Sequence, residues 1–519
     1  MSKEVSGDAR ILTWTESLRS FKHPRVLTML FLGFSGGIPL LLIFSSLSLW
    51  LREAGIERGA VTFFSWAALG YSFKFVWAPL VDTVPVPWLT KYFGRRRAWL
   101  FISQCLIAVA IVFMASVDPS KGTQSLQWMA IAAVLLGFSS ATQDIVIDAY
   151  RIESAEQRLQ AMMSSSYIAG YRIAMVVSGA GALKLASYFG SDMNAYAYDA
   201  WRWTYLIMAC TLLVGVVTTL IVSEPQENKS KNYIYATLDY LRLLLVFGLS
   251  LIAFVSCFFY SASLIEVLKS SLGEGPMQSF LAGSFRLLLA LAAAVLVGIV
   301  LVRARVVKAE MARRTWIEPI SDFFQRYGVK TAVILLSLIG LYRISDIVLG
   351  VISNVFYQDM GFSKDEIAEA VKAFGLFVTI AGGFLGGLFA ARFGVIRSLL
   401  LGAVMSSLTN LLFIWLSFVG HDVYLMYGVV AADNLAAGFA SAAFVAFLSS
   451  LTSVSFTAIQ YALFSSLMTL FPKVLGGYSG GIVDQMGYPG FFTFTTILGL
   501  PVIGLCLLAA RHLKPESSN

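Results

Sequence analysis

The chain has 519 residues, of which 58% are hydrophobic and 13% are charged, and its formal net charge is +8. Soluble domains usually carry about 25% charged residues, so the composition indicates a protein of the lipid bilayer and excludes a chain built mainly of soluble domains. The basic residues lie between apolar runs, as membrane topology requires, which argues against nucleic acid as a partner.

Many apolar segments are long enough to cross a bilayer, for which about 20 residues are needed. They form a group of six, a pair and a second group of six: 26–50, 60–81, 98–117, 128–149, 161–188, 201–222, 241–268, 277–302, 331–357, 365–390, 396–419, 424–449, 456–476 and 490–510. The sequence therefore predicts an all-α polytopic membrane protein with 14 spans. Its expected parts are one six-helix bundle (26–222), an inserted pair of transmembrane helices with a basic linker (223–330) and a second six-helix bundle (331–510).

Basic residues also predict the orientation of the chain. Residues 1–25 are polar and lack the apolar region and cleavage site of a signal peptide, so we expect the first span to remain in the membrane. Lysine and arginine collect in this segment and on the second, fourth and eighth connections, whereas the connections between these are poorer in them. Because cytoplasmic loops are rich in basic residues and the span count is even, both termini, 511–519 included, are predicted to be cytoplasmic.

Residues that bind metals or phosphate show no familiar arrangement. Cys105, Cys210, Cys257 and Cys506 lack the spacing of metal ligands, and the three histidines lie in tails or loops. No phosphate-binding loop and no hydrolase nucleophile motif is found. The sequence thus predicts no metal, no cofactor and no enzyme activity, and any ATP-driven transport would need a separate ATPase.

Two bundles of six spans are the layout of many secondary transporters, whose substrate sites lie near the midplane between the halves. Charged and amide side chains inside spans are costly and should face a cavity, a partner or a water path. This sequence places the following inside its predicted spans: Lys74, Gln143, Asp144, Asp148, Arg172, Arg286, Arg343, Asp346, Asp433, Asn434 and Gln460. They are the candidates for a polar central cavity.

Asp144 and Asp148 are four residues apart and share one helix face. Two carboxylates close together in a poorly solvated site repel each other, which favours a bound proton on one of them and predicts a proton-coupling site. The alternative is an ion pair with Lys74, Arg172 or the basic loop at 95–97 that stabilises one conformation. Asp148 lies nearer the end of its span, where this alternative is at least as good.

Arg172 lies among small residues that suit close helix packing, and its guanidinium could bind a substrate carboxylate or pyrophosphate bidentately. Pairing with Asp144 is the equally good alternative. Arg343 and Asp346 are three residues apart on one helix, which favours a local ion pair. Asp433 and Asn434 could bind hydroxyl or amide groups of a substrate.

The stretch APLVDTVPVPWLTKYFGRRRAWL (78–100) resembles the signature loop of the major facilitator superfamily through one acid and a Gly–Arg cluster. The residues concerned are Asp82, Gly94, Arg95, Arg96 and Arg97, and the resemblance implies a role in gating. A second copy, GGFLGGLFAARFGVIRSLL (382–400), keeps Gly387, Arg392 and Gly394 but lacks the acid.

Four stretches resemble the AmpG-type muropeptide permeases of this superfamily. They are GFSGGIPLLL (33–42), SFKFVWAPLVD (72–82) with FGRRRAWL (93–100), FSSATQDIVIDAY (138–150) with GYRIAMVVSG (170–179), and DNLAAGFASAAFVAFLSSLTSVSFTAIQYALFSS (433–466). The resemblance implies a monomeric bacterial inner-membrane permease that imports sugar–peptides, the anhydromuropeptides, with protons for peptidoglycan recycling, a step linked to β-lactamase induction.

The resemblance and the polar residues inside the predicted spans together assign residues to roles. A helix turn in the first span is assigned to Gly36, Gly37 and Pro39, and proton coupling to Asp144 and Asp148. Substrate binding is assigned to Lys74, Gln143, Arg172, Arg343, Asp346, Asp433, Asn434 and Gln460. Two positions depart from the family pattern: Asp433 stands where glutamate is expected and Arg343 where lysine is expected.

Two other classes of function remain open. A related transporter could carry acetyl-CoA, another sugar or a drug, and the basic trio of Lys74, Arg172 and Arg343 suits those anions as well as the carboxylates of a sugar–peptide. A polytopic sensor or membrane enzyme would need an output domain or a catalytic cluster, and the sequence indicates neither.

Overall fold

A computed structural model describes residues 19–56, 71, 73–191, 195–225, 235–261, 263, 276–476 and 479–513. All regular structure in this part of the chain is helical. Among these residues, 12 helical segments are long and apolar enough to cross a membrane. Each overlaps a predicted span, although Ala309–Ser353 begins well before the predicted span 331–357. The predicted span 60–81 falls mainly outside the described residues, and the span 456–476 is helical but is not one of the 12. The count of fourteen and the orientation of the termini stay predictions.

The first half of the chain, up to residue 225, contains ten α-helices among its described residues, several of them parts of one spanning segment. In chain order they are α1 (Pro24–Leu41), α2 (Leu47–Glu53), α3 (Ala78–Thr83), α4 (Leu89–Phe93), α5 (Arg95–Ala115), α6 (Thr123–Ser154), α7 (Gln157–Val176), α8 (Ala182–Tyr188), α9 (Tyr198–Thr211) and α10 (Leu213–Ile221). A 3₁₀ turn at Lys74–Val76 precedes α3. Five-residue π-helical turns at Leu42–Ser46 and Val177–Gly181 join α1 to α2 and α7 to α8.

The described residues within 83–85 and 231–323 form a separate compact unit. It contains α11 (Thr237–Tyr260), α12 (Pro276–Arg303) and α13 (Ala309–Ala312). Inside it, Arg286 Nε donates to the carbonyl oxygen of Phe258 at 2.7 Å and its guanidinium lies over the Phe258 ring. Lys308 Nζ lies 2.6 Å from Asp239 Oδ2. The predicted domain boundary at 223–330 stays a prediction.

The second half of the chain follows this unit. Its helices are α14 (Glu318–Leu341), α15 (Ile344–Asp359), α16 (Lys364–Ile367), α17 (Gly375–Phe393), α18 (Val395–Val419), α19 (Val423–Leu451), α20 (Thr457–Gly476) and α21 (Ser479–His512). The backbone leaves helical geometry at Gly328 in α14 and at Gly487 in α21, both at positive φ. Ser363 and Glu366 form a capping box at the start of α16, because each side chain accepts the other residue's backbone N–H.

Glycines allow α1 and α7 to cross at close range. A Cβ on Gly33 or Gly37 would overlap backbone carbonyls of α7, and one on Gly170 would overlap the Leu30 carbonyl of α1. Such contacts are how helices pack without a hydrophobic driving force between them. This crossing fixes the position of the part of α7 that carries the candidate site residue Arg172.

The three residues assigned to a helix turn, Gly36, Gly37 and Pro39, lie inside α1 instead of interrupting it. Proline lacks the N–H needed for the helical bond to the residue four before it. The helix continues past it and then widens into the π-helical turn at Leu42–Ser46. The irregularity therefore comes about one turn later than the predicted position.

Candidate functional site

Asp148 is the centre of an ion-pair network in the first half. Its Oδ2 lies 3.6 Å from Lys74 Nζ, and its Oδ1 lies 3.3 Å from Arg151 Nη2. All three side chains are at most 10% exposed. The pairing with Lys74 is the structural alternative that the sequence left open, whereas Arg151 was assigned only to a basic connection.

Asp144 lies one helical turn away and has a different environment. Its side chain is buried, yet within the described residues no cation comes within 4.0 Å of its carboxylate. Its one hydrogen bond there comes from the Tyr167 hydroxyl to Oδ1, at a long 3.5 Å. A Cβ on Gly36 would lie 3.3 Å from the same oxygen, so the glycine gives the carboxylate room. Asp144 can therefore gain or lose a proton without breaking an ion pair.

Gln143 contacts α1, inside the first half. It is fully buried, and its Oε1 accepts a hydrogen bond from Ser35 Oγ of α1 at 3.1 Å. In this conformation the side chain packs α6 against α1. Its contact with substrate stays a prediction.

Arg172 is a cation in the last part of α7, near the middle of the apolar segment Leu159–Tyr188. No carboxylate of the described residues lies within 4.0 Å of it. Its one hydrogen-bond contact there is to Met175 Sδ, at 3.9 Å. The alternative pairing with Asp144 is thus not formed in this conformation. The guanidinium of Arg343, from the second half, is close enough for the two positive charges to interact.

Arg343 lies at the break between α14 and α15 and belongs to a second charged cluster. Its Nε is 3.2 Å from Asp346 Oδ2, which is the local ion pair favoured by the sequence, and its Nη1 donates to Ser441 Oγ at 2.8 Å. Asp433 is near enough to interact electrostatically with both Arg343 and Asp346. The cluster therefore has two carboxylates and one cation.

The two amides assigned to substrate binding in the second half are engaged within the chain. Asn434 Oδ1 accepts from Thr379 Oγ1 at 2.8 Å, and its Nδ2 donates to the Val430 carbonyl at 2.9 Å. Gln460 Oε1 accepts from Ser453 N and from Arg326 Nη2, at 2.7 and 3.0 Å. These bonds tie helices together, and a contact with substrate stays a prediction for both residues.

The signature loop is built around Arg96, whose side chain is fully buried. Arg96 donates to both oxygens of Glu153, at 3.0 and 2.6 Å, and to Asp82 Oδ1 at 2.6 Å. Arg95 Nη1 donates to the Asp82 carbonyl, and Arg95 Nη2 lies 3.8 Å from Glu153. The acid and two of the arginines predicted to act in gating thus share one buried network.

Glu224, at the end of the sixth predicted span, also binds the signature loop. Its two carboxylate oxygens accept the backbone N–H groups of Arg96 and Arg97 at 2.9 and 3.0 Å, at the start of α5. Gly94 makes this contact possible, since a Cβ there would overlap the Glu224 carboxylate. The Arg97 side chain in turn donates to the carbonyls of Thr219 and Leu220. Burial raises the pKa of the Glu224 carboxyl above its usual value.

Several contacts join the two halves at this end of the protein. Arg96 Nη2 donates to Thr457 Oγ1 at 2.7 Å, and Asp82 Oδ2 accepts the backbone N–H of Ile459 at 3.0 Å, both at the start of α20. Ser165 Oγ of α7 donates to the Gly383 carbonyl of α17 at 2.8 Å. The structure is therefore closed between the halves at the end that carries the basic loops.

Sequence reasoning missed Arg151, Glu153, Glu224 and Thr457. Arg151 and Glu153 follow Asp148 on the same helix, so their spacing was a usable signal that they could join its network. No local pattern marks Thr457, which pairs with residues more than 300 positions away. As for metals, the described residues hold no group of three or more histidine, cysteine, aspartate or glutamate side chains that could bind an ion.

Comparison with known proteins gives the family. The family model described as Major Facilitator Superfamily matches residues 29–317. A Rickettsia conorii protein named "Putative transporter AmpG 4" is 30% identical over 483 residues, which cover 93% of this chain and 96% of that protein. The Escherichia coli K12 protein named "Anhydromuropeptide permease" is 29% identical over 506 residues, covering 97% of this chain and 84% of the relative.

A solved structure shows the same fold at low sequence identity. The Major Facilitator Superfamily transporter FucP, in its outward conformation, superposes with a TM-score of 0.56 at 10% identity, covering 95% of this chain and 99% of FucP. These families consist of transporters and not of enzymes. The chain belongs to the Major Facilitator Superfamily and, within it, to the family of the AmpG and anhydromuropeptide permeases.

Proposed function

We propose that the protein imports N-acetylglucosaminyl-1,6-anhydro-N-acetylmuramyl peptides with protons, from periplasm to cytoplasm across the bacterial inner membrane. The import would serve peptidoglycan recycling and, through it, β-lactamase induction. Near-full-length similarity to a relative named for anhydromuropeptides supports this substrate class.

The observation that carries the proposal is the environment of Arg172. A cation at membrane depth is costly without a partner, and here a second cation, Arg343 of the other half, lies near it. An anion bound between the two guanidinium groups would remove this repulsion, and arginine binds carboxylates bidentately. The peptide and its terminal carboxylates supply such an anion.

Asp144 supports the proton coupling. It is a buried carboxylate without an ion pair in the described part of the chain, and its neighbours Tyr167 and Gly36 leave its protonation state free to change. Asp148, by contrast, is held by Lys74 and Arg151. We therefore assign the transported proton to Asp144 and a conformational role to Asp148.

The direction of loading follows from the closed end. The contacts through Arg96, Asp82 and Ser165 lie where the basic loops predict the cytoplasmic side. With that side closed, substrate and proton would enter from the periplasm. This is the loading state of an importer.

The test is uptake of radiolabelled anhydromuropeptide into proteoliposomes, with and without an inward proton gradient. We expect accumulation above the external concentration with the gradient and only equilibration without it. Absence of uptake by protein shown to be folded would reject the substrate.

A CoA thioester is the second candidate, because Lys74, Arg172 and Arg343 would also suit its phosphates. Labelled acetyl-CoA is measured in the same vesicles. Uptake of acetyl-CoA in place of the sugar–peptide would replace the first assignment.

A further inference from the structure

Arg151 connects Asp148 to the opposite half of the protein. One guanidinium nitrogen, Nη2, lies 3.3 Å from Asp148 Oδ1, and the other, Nη1, donates to Ser449 Oγ of α19 at 2.8 Å. The same Nη1 also donates to Ser164 Oγ of α7 at 2.8 Å, inside the first half. The guanidinium stacks on the ring of Tyr461 in α20, 5.1 Å from its centroid. One side chain thus touches Asp148 and two helices of the second half.

Asp148 is the sole carboxylate within 4.0 Å of Arg151 among the described residues, and the Arg151 side chain is fully buried. The two hydroxyls and the aromatic ring around it are neutral. Loss of the Asp148 charge would therefore leave a buried guanidinium without a counterion, and burying an unpaired charge is strongly unfavourable. The cation would regain solvation only if the helices packed on it moved apart.

Lys74 also forms an ion pair with Asp148, but it interacts with a second carboxylate as well. The charge of Asp144 also acts on Lys74, so Lys74 would keep a counterion after Asp148 became neutral. The other ionisable groups that face Asp148 are the hydroxyls of Tyr167 and Tyr171 in α7 and of Tyr461 in α20. Of these groups, Arg151 is the one that loses all its compensating charge and also contacts the other half.

We propose that Arg151 transmits the charge of Asp148 to the contact between the halves. While Asp148 is ionised, it holds Arg151 on Ser449 and the end with the basic loops stays closed. Once the transported proton passes from Asp144 to Asp148, Asp144 keeps a negative charge for Lys74 and Asp148 becomes neutral. The uncompensated guanidinium of Arg151 then opens that end. The inference rests on the proton coupling proposed above but not on the identity of the substrate.

The experiment measures the distance between spin labels on the two halves by pulsed electron paramagnetic resonance. The four native cysteines are replaced by alanine, and labels are attached to Tyr92→Cys and Ser455→Cys, two exposed positions at the closed end. Asp148→Asn imitates the protonated acid. We expect it to increase the ratio of long to short distances on the order of tenfold over the parent protein.

Two double variants then identify the residue that responds. Asp148→Asn with Arg151→Gln removes the unpaired guanidinium and is expected to restore most of the short-distance population. Asp148→Asn with Lys74→Gln removes the other cation and is expected to stay as open as Asp148→Asn alone. The proposal is wrong if Asp148→Asn leaves the distances unchanged, or if the Lys74 double variant restores closure and the Arg151 double variant does not.

A pair of serine variants keeps the test decisive if the charge variants fold poorly. Ser449→Ala removes the hydrogen bond between the halves, and Ser164→Ala removes the matched bond within the first half, both made to the same nitrogen at 2.8 Å. We expect a longer-distance population with Ser449→Ala and none with Ser164→Ala. Equal effects would show that Arg151 does not act across the halves.

Uptake assays separate this inference from the proposed function. Distances that follow the expected pattern in a protein without anhydromuropeptide uptake would reject the substrate and keep the role of Arg151. If the protein shows proton-driven uptake but Asp148→Asn does not change the distance between the spin labels, the role of Arg151 is rejected and the proposed function is kept.

Discussion

At the scale of single residues, Arg172 is the side chain whose surroundings most favour a bound anion. With Arg343 nearby and a methionine sulfur as its hydrogen-bond contact within the described residues, it should bind substrate directly. We predict that Arg172→Ala lowers the initial rate of anhydromuropeptide uptake by at least about 100-fold, the loss of roughly 3 kcal/mol expected for a charged hydrogen-bonding group. Arg172→Lys should keep part of the activity, since lysine provides the charge but not the bidentate geometry.

The control for this prediction is Arg202→Ala. Arg202 is 49% exposed and its partner Asp199 is 77% exposed, at 3.8 Å, so its removal should leave uptake unchanged. Equal uptake by Arg172→Ala and the parent protein, at matched amounts in the membrane, would remove Arg172 from the substrate site.

Asp144 provides the second prediction at this scale. Asp144→Asn fixes the side chain in a neutral form, so the transporter should lose accumulation driven by a pH gradient while it still exchanges labelled for unlabelled substrate. Both activities are measured in the same vesicles, with Asp199→Asn as a matched exposed control. Accumulation that still follows the imposed gradient would contradict the assignment.

Sequence spacing predicted the pairs that lie close along the chain and missed those that do not. Asp144 and Asp148 were placed on one face, and the Arg343–Asp346 pair followed from its three-residue separation. The Lys74–Asp148 pair could only be left as an alternative, because its two residues are far apart in sequence. The bonds of Arg96 to Glu153 and Thr457 depend on how the helices pack, which no local pattern contains.

At the scale of helices, the start of α5 depends on an acid from another part of the chain. Two backbone N–H groups there point at Glu224, where the helix dipole also favours a negative charge. Burial nevertheless outweighs these bonds, so the pKa of Glu224 is raised above its usual value. The folded protein therefore binds the proton of this carboxyl more tightly than the unfolded chain does.

This raised pKa predicts how stability changes with pH. The contribution of Glu224 should be greatest below its unfolded pKa, about 4.5, and should decline as the pH rises through the folded pKa. Glu224→Gln cannot ionise, so the difference in apparent Tm, parent minus variant, should fall over that interval. Melting curves in detergent from pH 4 to pH 8 measure it. A difference that grows with pH would contradict the predicted sign.

The contact between α7 and α17 leads to a prediction with a closely matched control. A Cβ on Gly387 would overlap Ser165 Oγ of the other half, whereas a Cβ on Gly383 meets nothing nearer than the Gly438 carbonyl at 3.9 Å. Gly387→Ala should therefore disfavour the closed end, while Gly383→Ala should have little effect. Both are compared by the distance between labels on Tyr92→Cys and Ser455→Cys. Similar distances in the two variants would show that this crossing does not limit closure.

Helix positions were largely predictable, whereas their irregularities were not. Long apolar runs place the spans because a bilayer demands about 20 apolar residues. The break at Gly328 and the π-helical turn at Leu42–Ser46 depend on backbone geometry and packing that apolar length does not encode. The close crossing of α1 and α7 could be anticipated only from the α7 side, where small residues such as Gly170 had suggested it.

At the scale of the whole molecule, the closed end and the predicted orientation together predict the side from which the present conformation is loaded. If the basic loops are cytoplasmic, the conformation seen here is loaded from outside, as an importer requires. If they lay outside, the same contacts would describe a state loaded from the cytoplasm. The orientation of the chain is therefore the assumption on which the proposed import depends most.

Accessibility of single cysteines to a membrane-impermeant maleimide tests this orientation in intact cells, after native cysteines are replaced. We expect labelling from outside at Ala54→Cys, Tyr188→Cys, Tyr424→Cys and Met486→Cys, and labelling only after permeabilisation at Tyr92→Cys and Ser455→Cys. If positions 54 and 92 are labelled from opposite sides of the membrane, the chain must cross between them, and the predicted span 60–81 is that crossing. If positions 455 and 486 are labelled from opposite sides, α20 must cross the membrane. Labelling of 54 and 92 from the same side would remove that span, whereas labelling of 92 and 455 from outside would place the closed end in the periplasm and contradict import.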